Sequence, residues 1–266
     1  MRISSLTDQG GREYQEDRIR VFEVAGRLVV VVADGHGGEG VADYLVKEMP
    51  TVFEQVSFES LEGPSYARHF FELFVRLDES IARSVTPCAQ VGSTLTITCI
   101  GKDQIVSANC GDSMAMVVGH EKVGREKVGR EKVRRDSERG KTWSRLISVE
   151  HKAGSEVEAI ERRGGHVFTI DMPRVMGSLN LSRSMGDFAL KPFIIPCPHV
   201  AKLPAAEVSF VFVATDGVWD VFSEEEIGKL LVAYEKRDDE NILKMILSLS
   251  RARGSTDNIA MVLVRI

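Results

Sequence analysis

Leu28, Val29, Val30, Val31, Val32 and Ala33 form an uninterrupted apolar run that stops at a carboxylate, Asp34, and then turns through Gly35, His36, Gly37 and Gly38. The length and β-branching of this run predict a fully buried strand. A strand that carries a charge to its end, then exposes backbone carbonyls through glycines, suits a hard cation. The same residues equally suit a plain hairpin turn, because Asp and Gly are the commonest turn residues. Recurrence shifts the balance. Val208 to Asp216 is another apolar strand ending on aspartate and followed by Gly217, and Ile105 to Asp112 is a third. In a fourth case the order is reversed, with Asp257 and Asn258 preceding the apolar run Ile259 to Ile266. These four strands predict that Asp34, Asp112, Asp216 and Asp257 meet at one edge of a sheet. Unpaired carboxylates gathered there would repel one another and titrate upward, so such a cluster is expected to hold metal.

The 266 residues, 43% hydrophobic, are enough for one large or two small compact domains. No apolar run approaches the ~20 residues needed to cross a bilayer, and the N-terminus has no apolar signal core. The expectation is a soluble intracellular protein, cytoplasmic or nuclear, with no membrane partner. Cys88, Cys99, Cys110 and Cys197 show no C-x-x-C spacing and are expected as free, mostly buried thiols. The net charge of −5 argues against nucleic acid as a general partner.

Along the chain, Ile3 to Leu6 is expected as a short edge strand, and the charged loop GREYQED precedes a strand through Ile19, Val21 and Phe22. Helices are expected over Glu39 to Met49, with Pro50 marking the end, and over Tyr66 to Val85. From Val91, three apolar segments separated by short turns read as an antiparallel meander ending near His120. A strand over Trp143 to Val149, a short helix over Ser155 to Arg163 and a loop over Pro173 to Lys191 follow. Two amphipathic helices, Glu224 to Tyr234 and Glu240 to Arg251, precede the last strand. The pattern is that of a layered α+β sandwich, with no linker dividing residues 1–266 into separate domains.

Between Glu121 and Lys141 the texture changes to near-copies of a five-residue unit, EKVGR, EKVGR and EKVRR. A period of five fits neither helix nor strand faces, and the glycines weaken a helix further. Residues 120–141 are therefore expected as a solvated basic insertion in a hairpin loop, in which Arg134, Arg135, Asp136 and Ser137 look like a basophilic kinase site.

Taken together, GREYQED, VVADGHGG, GST, NCGDS, RVMGSLNLSRSMGD, ATDGVWD and STDNI resemble, in order and spacing, the metal-dependent serine/threonine protein phosphatases of type 2C. The resemblance runs from about Gly10 to Ile266. It implies a four-layer α-β-β-α sandwich, two antiparallel sheets flanked by helices, with the metal site at one end. By resemblance, Asp34 would bridge two Mn²⁺ or Mg²⁺ ions, the Gly35 carbonyl would bind the first, and Asp216 and Asp257 would hold the second. Glu16 and Asp17 would order waters, Asp112 would bind a weaker third cation, Arg12 would bind phosphate and His36 would be the general acid. The implied partners are phosphoprotein substrates, and a monomer is expected. Physical chemistry agrees with this assignment: an all-oxygen site suits Mg²⁺ or Mn²⁺ and suits zinc poorly. Two such cations can acidify a shared water and hold phosphoryl oxygens in line.

Other phosphatase chemistries lack their residues. Six positions after the cysteines stand Thr94, Ile105, Met116 and Leu203, so no Cys and Arg pair for a thiol mechanism exists. No D-x-D, G-D-x-H, G-N-H-E or HD occurs. His69, His151, His166 and His199 are expected as surface or packing residues, Trp219 as core, and Arg183 with Asp187 as a structural ion pair. Met114, Glu150, Ala153 and Ala260 depart from the family pattern, and none is an implied ligand.

Overall fold

A computed structural model describes residues 1–58, 63–86, 89–120 and 141–266. The repeat at 121–140, with its Ser137 site, and Cys88 lie outside the described residues. The chain opens with β1 (Arg2–Asp8), β2 (Arg18–Val24), β3 (Arg27–Ala33) and β4 (Gly35–His36), followed by helices α1 (Gly40–Glu54) and α2 (Tyr66–Ser84). Next come β5 (Gly92–Ser93), β6 (Leu95–Ile100), β7 (Gln104–Cys110), β8 (Met114–His120) and β9 (Thr142–Leu146). The short elements α3 (Val157–Arg162), β10 (Val167–Thr169), β11 (Pro173–Val175) and β12 (Met185–Gly186) lead into β13 (His199–Pro204) and β14 (Val208–Ala214). Helices α4 (Asp216–Trp219), α5 (Glu224–Ala233) and α6 (Asp239–Ala252) precede β15 (Ile259–Arg265).

Two five-stranded antiparallel sheets result, one ordered β1-β15-β14-β8-β9 and the other β13-β7-β6-β3-β2. Inner strands such as β3, β14 and β15 read as nearly unbroken apolar runs because both of their faces are covered. Side chains alternate across a strand, so each run is divided between two different cores. Val29, Val31 and Ala33 pack against Leu45 and Met49 of α1 and Phe70 and Phe74 of α2. Leu28, Val30 and Val32 instead meet Val211, Val213, Val262 and Val264 of the opposite sheet. Phe210, Phe212, Met261 and Leu263 face outward onto Ile227 and Leu231 of α5 and Ile242 and Ile246 of α6. Three apolar seams therefore join four layers, helices outside and sheets inside. Each fully buried aliphatic or aromatic side chain contributes roughly 1.5–3 kcal/mol to holding them together.

Three expectations need correction. The segments after Val91 do not form a meander: β6 pairs with β7, but β8 crosses to the other sheet and pairs with β14 and β9. The crossing is made at Gly111, whose φ of +105° is one that side-chain-bearing residues rarely adopt. Pro50 does not end α1, which continues to Glu54, because Met49 and Phe53 on either side of it are both buried in the core. The aspartates come from two sheets rather than one edge. Asp34 and Asp112 follow β3 and β7 of one sheet, while Asp216 follows β14 and Asp257 precedes β15 of the other. Among the described residues the fully buried Cys110, the buried Cys99 and the partly buried Cys197 are not in disulfides, and Trp219 is core, its Nε1 donating to the Ala214 carbonyl at 2.9 Å. Among the described residues no helix is long and apolar enough to cross a membrane.

Candidate active site

The strand ends converge on a cleft of about 390 Å³ whose lining includes Arg12, Glu16, Asp34, Gly35, His36, Asp112, Asp216 and Asp257. Each arrives by a local device. The Asp34 backbone is clamped on both sides, its N–H donating to Thr94 Oγ1 at 3.0 Å and its carbonyl accepting from the Thr94 N–H at 2.8 Å. Thr94 Oγ1 also bonds Ser113 Oγ at 2.7 Å, so the GST and GDS stretches lock the end of β3 to the start of β8. Asp216 opens α4, and Asp220 stands one turn later on the same face, so both carboxylates enter the cleft. One carboxylate oxygen from each of Asp34, Asp112 and Asp216 lies within 4.8 Å of the others. Asp112, which the family resemblance assigns to a weaker third ion, thus sits in this tight group, as the strand pattern predicts. Asp257 lines the same cleft, but its Oδ2 accepts from Arg12 Nη2 at 2.5 Å.

The electrostatics are those of negative charge packed without enough compensation. Burial, reinforced by the charges of Asp17, Asp216, Asp112 and Asp257, holds the Asp34 carboxyl well above its ordinary range. Burial and then Asp216 do the same to Asp112, only partly offset by Lys152. Asp216 is pushed up to about 6 by burial and by Asp220 and Asp257. Asp17, behind the cleft and bonded by the Thr215 hydroxyl at 2.8 Å, is pushed up to about 7, again chiefly by burial. Lys152 places its ammonium 2.7 Å from Asp220, 3.3 Å from Glu150 and 3.9 Å from Asp112. One lysine cannot neutralise this group. The donor set is all oxygen and strongly acidic, and it fits a hard divalent cation.

The rim is assembled from the two ends of the chain. Asn258 Nδ2 donates to the carbonyls of Gln9 at 2.8 Å and Tyr14 at 2.9 Å, and its Oδ1 accepts from the Glu16 N–H at 2.8 Å. This one side chain stitches the GREYQED loop to the start of β15 and brings Arg12 and Glu16 to the cleft. On the opposite side, His36 Nε2 lies 2.8 Å from Asp187 Oδ2. The expected ion pair of Arg183 with Asp187 is therefore wrong. Arg183 bonds the carboxylate of Glu156 and the Cys197 carbonyl, leaving Asp187 to His36. His151 is a packing residue, buried against Gly111, and burial pushes it down to about 4.

Asp220, Lys152, Met172 and Arg174 also line or border the cleft and were not singled out from sequence. The signal for Asp220 was its i, i+4 spacing from Asp216. Arg174 and Met172 come from the β10–β11 hairpin, whose strands are too short to show a period.

A family model described as Protein phosphatase 2C matches residues 26–259. The chain belongs to the protein phosphatase 2C family. Its relatives include Protein phosphatase 2C 56 of Arabidopsis thaliana, 33% identical across 88% of this chain and 57% of the relative. Probable protein phosphatase 2C 6 of Oryza sativa subsp. japonica is 32% identical across 88% of this chain and 54% of its own length. The chain thus spans about half the length of the curated relatives it matches. Among solved structures, a Toxoplasma gondii phosphatase superposes with a TM-score of 0.81 over 99% of this chain and 92% of that one, at 22% identity. That likeness supports the four-layer fold. Metal dependence, typical of protein phosphatases 2C, agrees with the acidic cluster at the cleft.

Proposed function

We propose that residues 1–266 form one catalytic domain that hydrolyses phosphoserine and phosphothreonine in proteins, using Mg²⁺ or Mn²⁺ and no covalent phosphoenzyme. The observation that carries the reading is the meeting of Asp34, Asp112 and Asp216 within 4.8 Å in a cleft that also holds Arg12 and His36. The pairing of β1 with β15 along its full length supports a single unit, since both ends of the chain belong to one sheet.

Asp34, the Gly35 carbonyl, Asp216 and Asp257 would hold two cations, with Asp112 at a weaker third and Glu16 and Asp17 fixing waters around them. Bound there, the cations would make water a stronger nucleophile and draw charge from the phosphoryl oxygens. Arg12, on the open rim, binds the substrate phosphate through charge-assisted hydrogen bonds, and Asp257 and the Asn258 stitch hold it in place. Water oxygen bonds to phosphorus as the seryl or threonyl oxygen leaves, and His36 supplies that oxygen with its proton. Asp17 is anchored by the Thr215 hydroxyl, which also accepts from the Ala260 N–H, so its carboxylate is held at the ends of β14 and β15 beside Asp34.

The test is release of phosphate from a phosphothreonine peptide by purified protein with Mn²⁺ or Mg²⁺, with EDTA, and in Asp34→Ala and Asp216→Ala variants. Metal-dependent release that both variants abolish is expected. An undiminished rate in EDTA overturns the reading.

A further inference from the structure

The cleft explains why His36 is present but not what holds its ring. His36 on β4 and Gly186 on β12 both pair with Gly92 on the intervening β5, so the side chains of His36 and Asp187 meet above a residue that has none. A Cβ at Gly92 would lie 2.1 Å from Asp187 Oδ2 and 2.5 Å from His36 Nε2. The backbone is built around this pair.

Asp187 is itself fixed from every side. It is 3% exposed, holds a left-handed φ of +51°, and donates its N–H to the Val91 carbonyl at 3.0 Å. The Ser184 hydroxyl donates to its Oδ2. The turn that carries it is pinned to α2 by buried Asp78, which accepts from the Gly186 N–H at 2.7 Å and lies 3.1 Å from Lys191 Nζ. Lys191 in turn donates to the Ser184 carbonyl at 3.2 Å. Both Asp187 oxygens face His36 Nε2, at 2.8 and 3.0 Å. Arg183, the nearest cation in sequence, is committed to Glu156. A buried carboxylate that ignores a neighbouring arginine and caps a histidine at the cleft has an orienting role.

We propose that Asp187 is a positioning residue for the hydrolysis, holding the His36 ring by Nε2 so that Nδ1 is the nitrogen offered to the departing seryl or threonyl oxygen. The inference rests on the assignment of His36 as the proton donor. Fixing the ring through Nε2–H removes rotational freedom from the donor; the proton given up is the Nδ1–H of the doubly protonated ring, which leaves a neutral imidazole still bonded to Asp187 through Nε2–H.

The experiment compares a phosphothreonine peptide, whose alkoxide needs a proton to leave, with p-nitrophenyl phosphate, whose phenolate leaves unaided. His36→Ala, Asp187→Ala, the near-isosteric Asp187→Asn and the double variant His36→Ala with Asp187→Ala are assayed in saturating Mn²⁺, with thermal melts to confirm folding. Asp187→Ala is expected to lower kcat on the peptide by ~10- to 100-fold with KM within about twofold, and to cost p-nitrophenyl phosphate about threefold or less. The double variant is expected to be no slower on the peptide than His36→Ala. Equal losses on both substrates, or a double variant slower by the product of the single losses, overturn the inference. Should Asp187→Ala fail to fold, Asp187→Asn decides on the same criteria. A selective loss in His36→Ala with none in the Asp187 variants removes this inference alone. A loss in His36→Ala that is equal on both substrates removes the proton-donor assignment as well.

Discussion

At the scale of single residues, the cleft depends on side chains that never enter it. Asn258 uses both amide hydrogens and its oxygen on the loop from Gln9 to Glu16, and it is itself 5% exposed. Asn258→Ala removes all of these bonds and unties the loop from the start of β15. At about 0.5–1.5 kcal/mol net for each of the three bonds, a loss of roughly 1.5–4.5 kcal/mol in urea unfolding is expected. The same variant frees Arg12, so its catalytic defect should resemble that of Arg12→Ala. For Arg12→Ala, losing a charge-assisted phosphate contact of about 1.5–3 kcal/mol lowers kcat/KM on a phosphopeptide by ~10- to 100-fold. Arg12→Lys should restore only part, since an ammonium cannot present the paired donors of a guanidinium. An Arg12→Ala enzyme with unchanged kcat/KM would remove that arginine from phosphate binding. The carboxylates Asp34, Asp112, Asp216 and Asp257 were legible because each is announced by an adjoining apolar strand. Asn258, Asp187 and Lys152 were not, because what gives each its role is a partner 68 to 249 positions away.

At the scale of elements, periodicity located most strands and helices but not their partners. A strand covered on both faces reads as apolar whichever sheet it joins, which is why the pattern alone predicts β8 as the third arm of a meander. Only the glycine at 111 marks the crossing, and a glycine before Asp and Ser is also an ordinary turn. Pro50 misled for a different reason. Proline in a helix interior removes a hydrogen bond and crowds the preceding turn, so local chemistry says stop, while buried Met49 and Phe53 say continue. Packing wins, and the helix carries a standing cost. Pro50→Ala should therefore stabilise the protein. Helix propensity favours alanine by ~3 kcal/mol, and the greater freedom of the unfolded chain takes back about 1, leaving roughly 2 kcal/mol, a rise in Tm of a few degrees. A lower melting temperature in Pro50→Ala would mean that α1 needs its proline for packing.

At the scale of the whole molecule, two sheets press together through a valine-rich seam, and their strand ends force like charges into one place. The apolar seam offsets the repulsion, and that balance must depend on pH. Asp17 at about 7 and Asp216 at about 6, with Asp34 and Asp112 also raised, hold protons more tightly folded than unfolded, where a carboxyl titrates near ~3.9. Raised acid values stabilise the fold at the low end of the window, and the benefit is lost as pH climbs from about 4 to about 7. His151 has the opposite sign: held at about 4 against an unfolded value near ~6.5, it costs stability in acid and ceases to do so toward neutrality. Several carboxylates outweigh one imidazole, so the metal-free protein should become less stable from pH 5 to pH 7.5. A divalent cation binds the ionised cluster and not the protonated one, so its stabilising effect should grow over the same interval. Thermal melts in EDTA and in saturating Mg²⁺ at both pH values measure this directly. The rise in Tm caused by Mg²⁺ is expected to be larger at pH 7.5 than at pH 5. An equal rise at both would mean that the cation binds away from Asp34, Asp112 and Asp216, and that the convergence of the two sheets at this cleft serves another purpose.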